Sequence, residues 1–157
     1  MKTVLHGETR GSIDNCVTIG SISKNTEFGV YGTITDLEQL GIDVDESQEM
    51  EVADRSEIET GKAYILCELE NGKTEEYEIE IKKVFTDNSS DNKSMLIEVT
   101  DERLIEKTGG IIQGMSGAPI IQNGKFIGAV THVLVNDSTT GYAVFADLMI
   151  KQMREVS

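Results

Sequence analysis

The 157-residue chain contains no tryptophan, a single proline, two cysteines and two histidines. Cys16 and Cys67 lie in separate strand-like segments without a Cys-x-x-Cys spacing, so buried free thiols are expected rather than a disulfide framework. With only two scattered histidines beside them, no zinc site can be assembled. Basic residues are scarce: 14 lysines and arginines stand against 28 aspartates and glutamates, a formal charge of -14. That balance excludes nucleic acid, which needs a basic stripe, and favours basic peptides in a salt-dependent way. No apolar run approaches the roughly 20 residues of a membrane-spanning helix, and Met1-Lys2-Thr3-Val4-Leu5 lacks the apolar core of a signal peptide. What remains is long enough for one domain with a hydrophobic core.

Period-two alternation dominates the patterning. Ala63, Ile65, Cys67 and Leu69 alternate with polar positions, as do Tyr77, Ile79 and Ile81 with Glu76, Glu78, Glu80 and Lys82. Both apolar sets are odd-numbered, which constrains the turn between them. A two-residue Asn71-Gly72 loop would put the sets on opposite faces. A three-residue loop Glu70-Asn71-Gly72 pairs residue 65 with 77 and 67 with 75, given a left-handed Gly72. Asp36 to Glu59 is acidic and weakly patterned. Asp43, Asp45, Ser47 and Glu49 imitate a calcium loop, but Gln48 replaces the required glycine and Asp54 the bidentate glutamate. A solvated loop with a strand from Glu49 to Ala53 is expected instead, and a surface loop from Thr86 to Lys93. Leu148, Ile150, Met153 and Val156 predict a short amphipathic helix from Asp147 to Val156.

The segment that carries chemistry is Gly109-Gly110-Ile111-Ile112-Gln113-Gly114-Met115-Ser116-Gly117-Ala118-Pro119. Gly114 and Gly117 permit backbone conformations closed to other residues, so peptide N–H groups beside Ser116 can turn toward one volume. That is how an oxyanion hole is made next to a nucleophile. The plainer alternative is a glycine-rich turn with an ordinary serine. Downstream, Pro119-Ile120-Ile121, an Asn123-Gly124 turn and Lys125 to Val133 read as a tight hairpin. A further strand, Gly141-Tyr142-Ala143-Val144-Phe145, follows, and then the helix. This order is that of the trypsin-like fold after its nucleophile.

From Thr100-Asp101-Glu102-Arg103-Leu104 through the serine segment to Ala129-Val130-Thr131-His132-Val133 and Val135-Asn136-Asp137, the chain resembles the stage IV sporulation protein B peptidases. Ile19-Gly20, Lys24-Asn25-Thr26 and Phe28-Gly29-Val30-Tyr31-Gly32 extend the resemblance upstream. It implies an all-β, trypsin-like double β-barrel, incomplete at the N-terminus, with a short C-terminal helix. It also implies a signalling serine endopeptidase of endospore formation, acting in the space between the two membranes of the developing spore on a membrane-associated sporulation regulator. The family's nucleophile falls on Ser116 and its triad aspartate on Asp101, whose alternative role is a helix N-cap. Serine chemistry of this kind calls for no cofactor.

A serine hydroxyl needs an imidazole to take its proton, and a third group to hold that imidazole. Neither histidine fits. His6 falls after the position of the family's base and near a frayed terminus, and His132 lies on the strand after the serine. The expectation is that residues 1–157 form one serine peptidase domain, a fragment from which the catalytic histidine and the export signal are missing. Backbone N–H groups of Gly114 and Ser116 are expected to hold the oxyanion. Gln113, Thr131, His132 and Val133 are expected to bind substrate, with Thr131 to Leu134 pairing as an added strand and Gly141 to Val144 shaping the specificity pocket. The competing reading is a non-catalytic β-barrel that binds a peptide or partner domain through the same cleft.

Overall fold

The computed structural model describes residues 2–5, 8–12, 20–35, 49–70, 73–86 and 93–155, with the backbone alone for 2–12 and for residue 70. His6, Cys16, the turn residues 71–72, the acidic stretch 36–48 and the centre of the expected surface loop, 87–92, lie outside the described residues. So does Val156.

Six strands close into an antiparallel barrel: β5 (Gly61–Glu70), β6 (Lys73–Val84), β7 (Met95–Val99), β8 (Pro119–Gln122), β9 (Lys125–Leu134) and β10 (Asp137–Phe145). Their order around the barrel is β10-β7-β6-β5-β8-β9. The odd-numbered apolar sets fill it. Ala63, Ile65, Tyr77, Ile79, Ile81 and Ile97 have no exposed surface, each large side chain contributing roughly 1.5–3 kcal/mol by leaving water.

The register of β5 on β6 pairs Ile65 with Tyr77 and Cys67 with Glu75, as the parity argument requires. The device differs from the expected three-residue loop. Glu70 pairs with Lys73, so the connection spans only 71–72, and a bulge between Glu68 and Glu70 supplies the extra residue that restores parity. The β8–β9 hairpin turns at Asn123 (φ 53°) and Gly124 (φ 76°), both left-handed, as the type I′ turn demands.

The second sheet region is partial: β1 (Lys2–Leu5) pairs with β2 (Glu8–Ser12), and β3 (Gly20–Thr26) with β4 (Gly29–Ile34), in separate two-stranded sheets. A closed barrel beside such sheets is consistent with an incomplete double barrel.

Two α-helices stand among the described residues. In α1 (Glu102–Thr108), Asp101 is the N-cap and Gly109, at φ 75°, the left-handed C-cap. Leu104 of α1 is fully buried in the core. In α2 (Ala146–Arg154), Ala146 is buried and Leu148 packs on the core, but Met153 is 53% exposed and does not belong to the docking face. The strand expected over Glu49 to Ala53 is absent. Val52 makes one isolated parallel bridge to Phe126, and a single 3-10 turn, Arg55–Glu57, follows under an Asp54/Glu57 capping box. Asp54 thus caps a turn. No helix of the described residues is long and apolar enough to cross a membrane.

Candidate active site

The loop between α1 and β8 contains two successive turns. Met115 N–H donates to Ile112 O (3.1 Å) and Ala118 N–H to Met115 O (2.9 Å). Each turn has a glycine at positive φ in its third position, Gly114 at 108° and Gly117 at 92°, after a residue of negative φ, which is the type II pattern. Ser116 occupies the corner of the second turn and is exposed. The loop is pinned at both ends. Gly117 N–H donates to Val130 O (2.8 Å) and Val130 N–H to Ala118 O (3.0 Å). Ile111 N–H donates to Ser138 O, and the Ser138 hydroxyl to Gly109 O. Gly110 packs so tightly on the Ser138 backbone that no Cβ would fit.

The Ser116 hydroxyl donates to Thr131 O at 3.1 Å, which leaves its oxygen lone pairs open. Among the described residues, no backbone carbonyl accepts from Gly114 N–H or Ser116 N–H. Ser116 and Gly117 share a cleft of about 510 Å3 with Thr131, His132, Met149 and the β3–β4 turn from Asn25 to Tyr31. The Tyr31 hydroxyl donates to Phe28 O, and burial pushes its pKa up, so the ring stays neutral. The Thr131 side chain donates to Tyr142 O, which fixes the strand whose carbonyl receives Ser116. His132 is exposed and makes no hydrogen bond to Ser116.

The expected site residues divide. Ser116, Thr131 and His132 meet in this cleft, whereas Gln113 and Gly114 line a second cavity of about 410 Å3 with the end of β5. Val133 packs against the core. Of the expected specificity residues, Val144 lines the Ser116 cleft, while Gly141 is buried with Ile111 Cδ1 and His132 O where a side chain would stand.

Asp101 lines neither cavity. Its Oδ1 accepts from Arg103 N–H (3.0 Å) and Arg103 Nε (3.1 Å); its Oδ2 accepts from Glu78 N–H (3.1 Å) and the Arg103 guanidinium (2.8 Å). These four bonds use about all the acceptor sites of a carboxylate. The Arg103 side chain first, and the two backbone donors with it, hold the Asp101 carboxyl down at about 2. Asp101 is thereby tied to β6, which stands across the closed barrel from β9, where Ser116 is tied.

Arg103, the Asn25–Tyr31 turn, Met149 and the end of β5 are site features that sequence reasoning missed. Only Arg103, two residues after a helix-capping aspartate, carried a local signal. Among the described residues no group of three or more histidines, cysteines and carboxylates could hold a metal ion.

The family model described as SpoIVB peptidase S55 matches residues 2–150. No curated protein is significantly similar in sequence. Among solved structures, the active form of the protease Rv3671c from M. tuberculosis superposes with a TM-score of 0.50 at 18% identity, over 69% of this chain and 48% of that one. An inactive serine-to-alanine mutant of the same protease gives 0.48 at 18% identity, over 68% and 52%. The chain spans about half the length of these structures, and the likeness to the active form is one of fold.

Proposed function

The chain belongs to the SpoIVB peptidase S55 family, and from that premise we propose that it carries the nucleophile and oxyanion hole of a serine endopeptidase. The observation that carries this reading is the exposed Ser116 hydroxyl at the corner of tandem glycine turns, beside the unengaged N–H groups of Gly114 and Ser116. In the reaction, Ser116 Oγ attacks a peptide carbonyl while an imidazole takes its proton. The two N–H groups receive the oxyanion, each donor lowering the barrier by about 2.7–4 kcal/mol. Collapse expels the amine, protonated by the same imidazole, and water then releases the acyl group. The Ser116 cleft has room for the ring beside the Asn25–Tyr31 turn. The reading draws that imidazole from outside the described residues.

For Asp101, the hydrogen bonds support a positioning role, in which the carboxylate caps α1 and so fixes the segment that leads into the Ser116 loop. Direct contact with an imidazole at Ser116 is opposed twice, by Arg103 on both carboxylate oxygens and by the tie to β6, across the barrel from β9. The Arg103→Ala variant separates the two: faster acylation means Arg103 was a competitor, and unchanged acylation means Asp101 acts only through α1.

Thr131 to Leu134 pair with the substrate in this reading, Val133 through its backbone alone, and Gln113 and His132 line its path. By family resemblance the substrate is a membrane-associated regulator of sporulation, met between the two membranes of the developing spore.

A second reading, a barrel that binds peptide without cleaving it, draws on the Ser116 hydroxyl being donated to Thr131 O rather than to a base. Labelling of the full-length protein with a fluorophosphonate decides. Ser116 is expected to be modified and Ser116→Ala to be silent. A label that persists in the variant sinks the nucleophile assignment, and a wild type that binds peptide yet never labels favours the second reading.

A further inference from the structure

Strand β5 pairs with β8 only at Tyr64 and Ile65, then runs on to Glu70 against β6 alone. Beyond Ile65 its second edge pairs with no described strand. Between that edge and the Ser116 loop opens the cavity of about 410 Å3, a size ordinary for a binding pocket. Its lining is mixed: Leu66 and Leu69 from β5 and Ile112, Met115 and Ala118 from the loop are apolar, whereas Glu68 and Gln113 are polar. Gly114 stands on its border, while Ser116 and Gly117, next along the chain, face the other cleft. The two hollows therefore flank one short turn, and Gly114 carries one of the unengaged N–H groups.

We propose that this cavity is the subsite for the leaving half of the cleaved peptide, which adds as a strand to the free edge of β5 at Leu66 to Leu69 and buries an aliphatic side chain between Leu69 and Met115. The inference rests on the peptidase reading for its direction: a carbonyl held at Ser116 and Gly114, with the preceding residues along β9, sends the following residues toward β5. Main-chain hydrogen bonds to an open edge supply affinity, and the pocket supplies selectivity. Glu68 in the lining disfavours an acidic residue there.

The test is binding, so that it survives failure of the catalytic reading. The full-length Ser116→Ala protein is titrated with capped hexapeptides carrying leucine or glutamate at the position after the intended scissile bond, followed by methyl NMR. Leucine is expected to bind roughly tenfold or more tightly than glutamate, with shifts at Leu66, Leu69 and Met115. Ala118→Val, which fills the cavity by two methyls, and Leu69→Glu are each expected to remove that preference. Equal affinity for the two peptides, an unaltered preference in a folded Ala118→Val protein, or shifts confined to the Ser116 cleft would overturn the proposal. If the leucine preference stands while the fluorophosphonate fails to label wild type, only the catalytic reading falls.

Discussion

Gly114 and Gly117 hold backbone conformations that an L side chain enters at a cost of roughly 1–2 kcal/mol, and no neighbour offers a steric reason for either. Gly117→Ala is therefore expected to destabilise by about that amount in urea melts and to weaken Ser116 labelling, because the turn that projects the hydroxyl relaxes. Ser116→Ala loses one exposed hydrogen bond and is expected to stay within about 1 kcal/mol of wild type. Asp101 makes a pH prediction. Its carboxyl titrates at about 2 in the fold, against about 3.9 in an unfolded chain. A depressed folded pKa contributes stability that is complete above the unfolded value and disappears as pH falls toward the folded one. Urea melts between about pH 5 and pH 2 should show wild type losing stability across that window and Asp101→Asn losing less of it. At neutral pH the variant should be modestly less stable, because asparagine still caps α1 but loses the charge-assisted bonds from Arg103.

Among the elements, the β8–β9 hairpin matters most to the site, since β9 supplies both Val130 O for Gly117 and Thr131 O for Ser116. Gly124→Val puts a β-branched residue at φ 76° and is expected to cost more than about 1 kcal/mol, read as a fall in the thermal midpoint. This hairpin was legible in the sequence because Asn-Gly between apolar runs has one good turn type. The barrel strands were legible for a similar reason, their faces alternating with period two. The bulge between Glu68 and Glu70 was not, since alternation fixes which side chains share a face and leaves open how the chain corrects its count. The segment from Glu49 to Ala53 misled because its apolar residues answer to one tertiary bridge at Phe126 rather than to a neighbouring strand. At the site, Ser116 could be read from its flanking glycines. The Asn25–Tyr31 wall could not, because nothing local in that turn announces what it faces.

For the whole molecule, acid outnumbers base two to one, and among the described residues pairs such as Lys82 with Glu80 and Glu98 are exposed and individually weak. Self-repulsion should then outweigh pairing. Raising sodium chloride from about 0.02 M to about 0.3 M is expected to raise the thermal midpoint while weakening association with a lysine-rich peptide. A midpoint that falls with salt would mean that the ion pairs dominate.

The barrel order has a consequence for how the fold comes into being. Sequential neighbours form two three-stranded meanders, β5-β6-β7 and β8-β9-β10, which meet only at the β5–β8 and β7–β10 seams, where Tyr64 finds Ile121 and Gly141 finds Ile97. Such distant pairings are slow to form. The stretch bearing Ser116 is the covalent bridge between these halves: it borrows its anchor from the later one and its cavity wall from the earlier. A nascent polypeptide therefore lacks this loop geometry, and the Ser116 hydroxyl reaches its place only with the last closure.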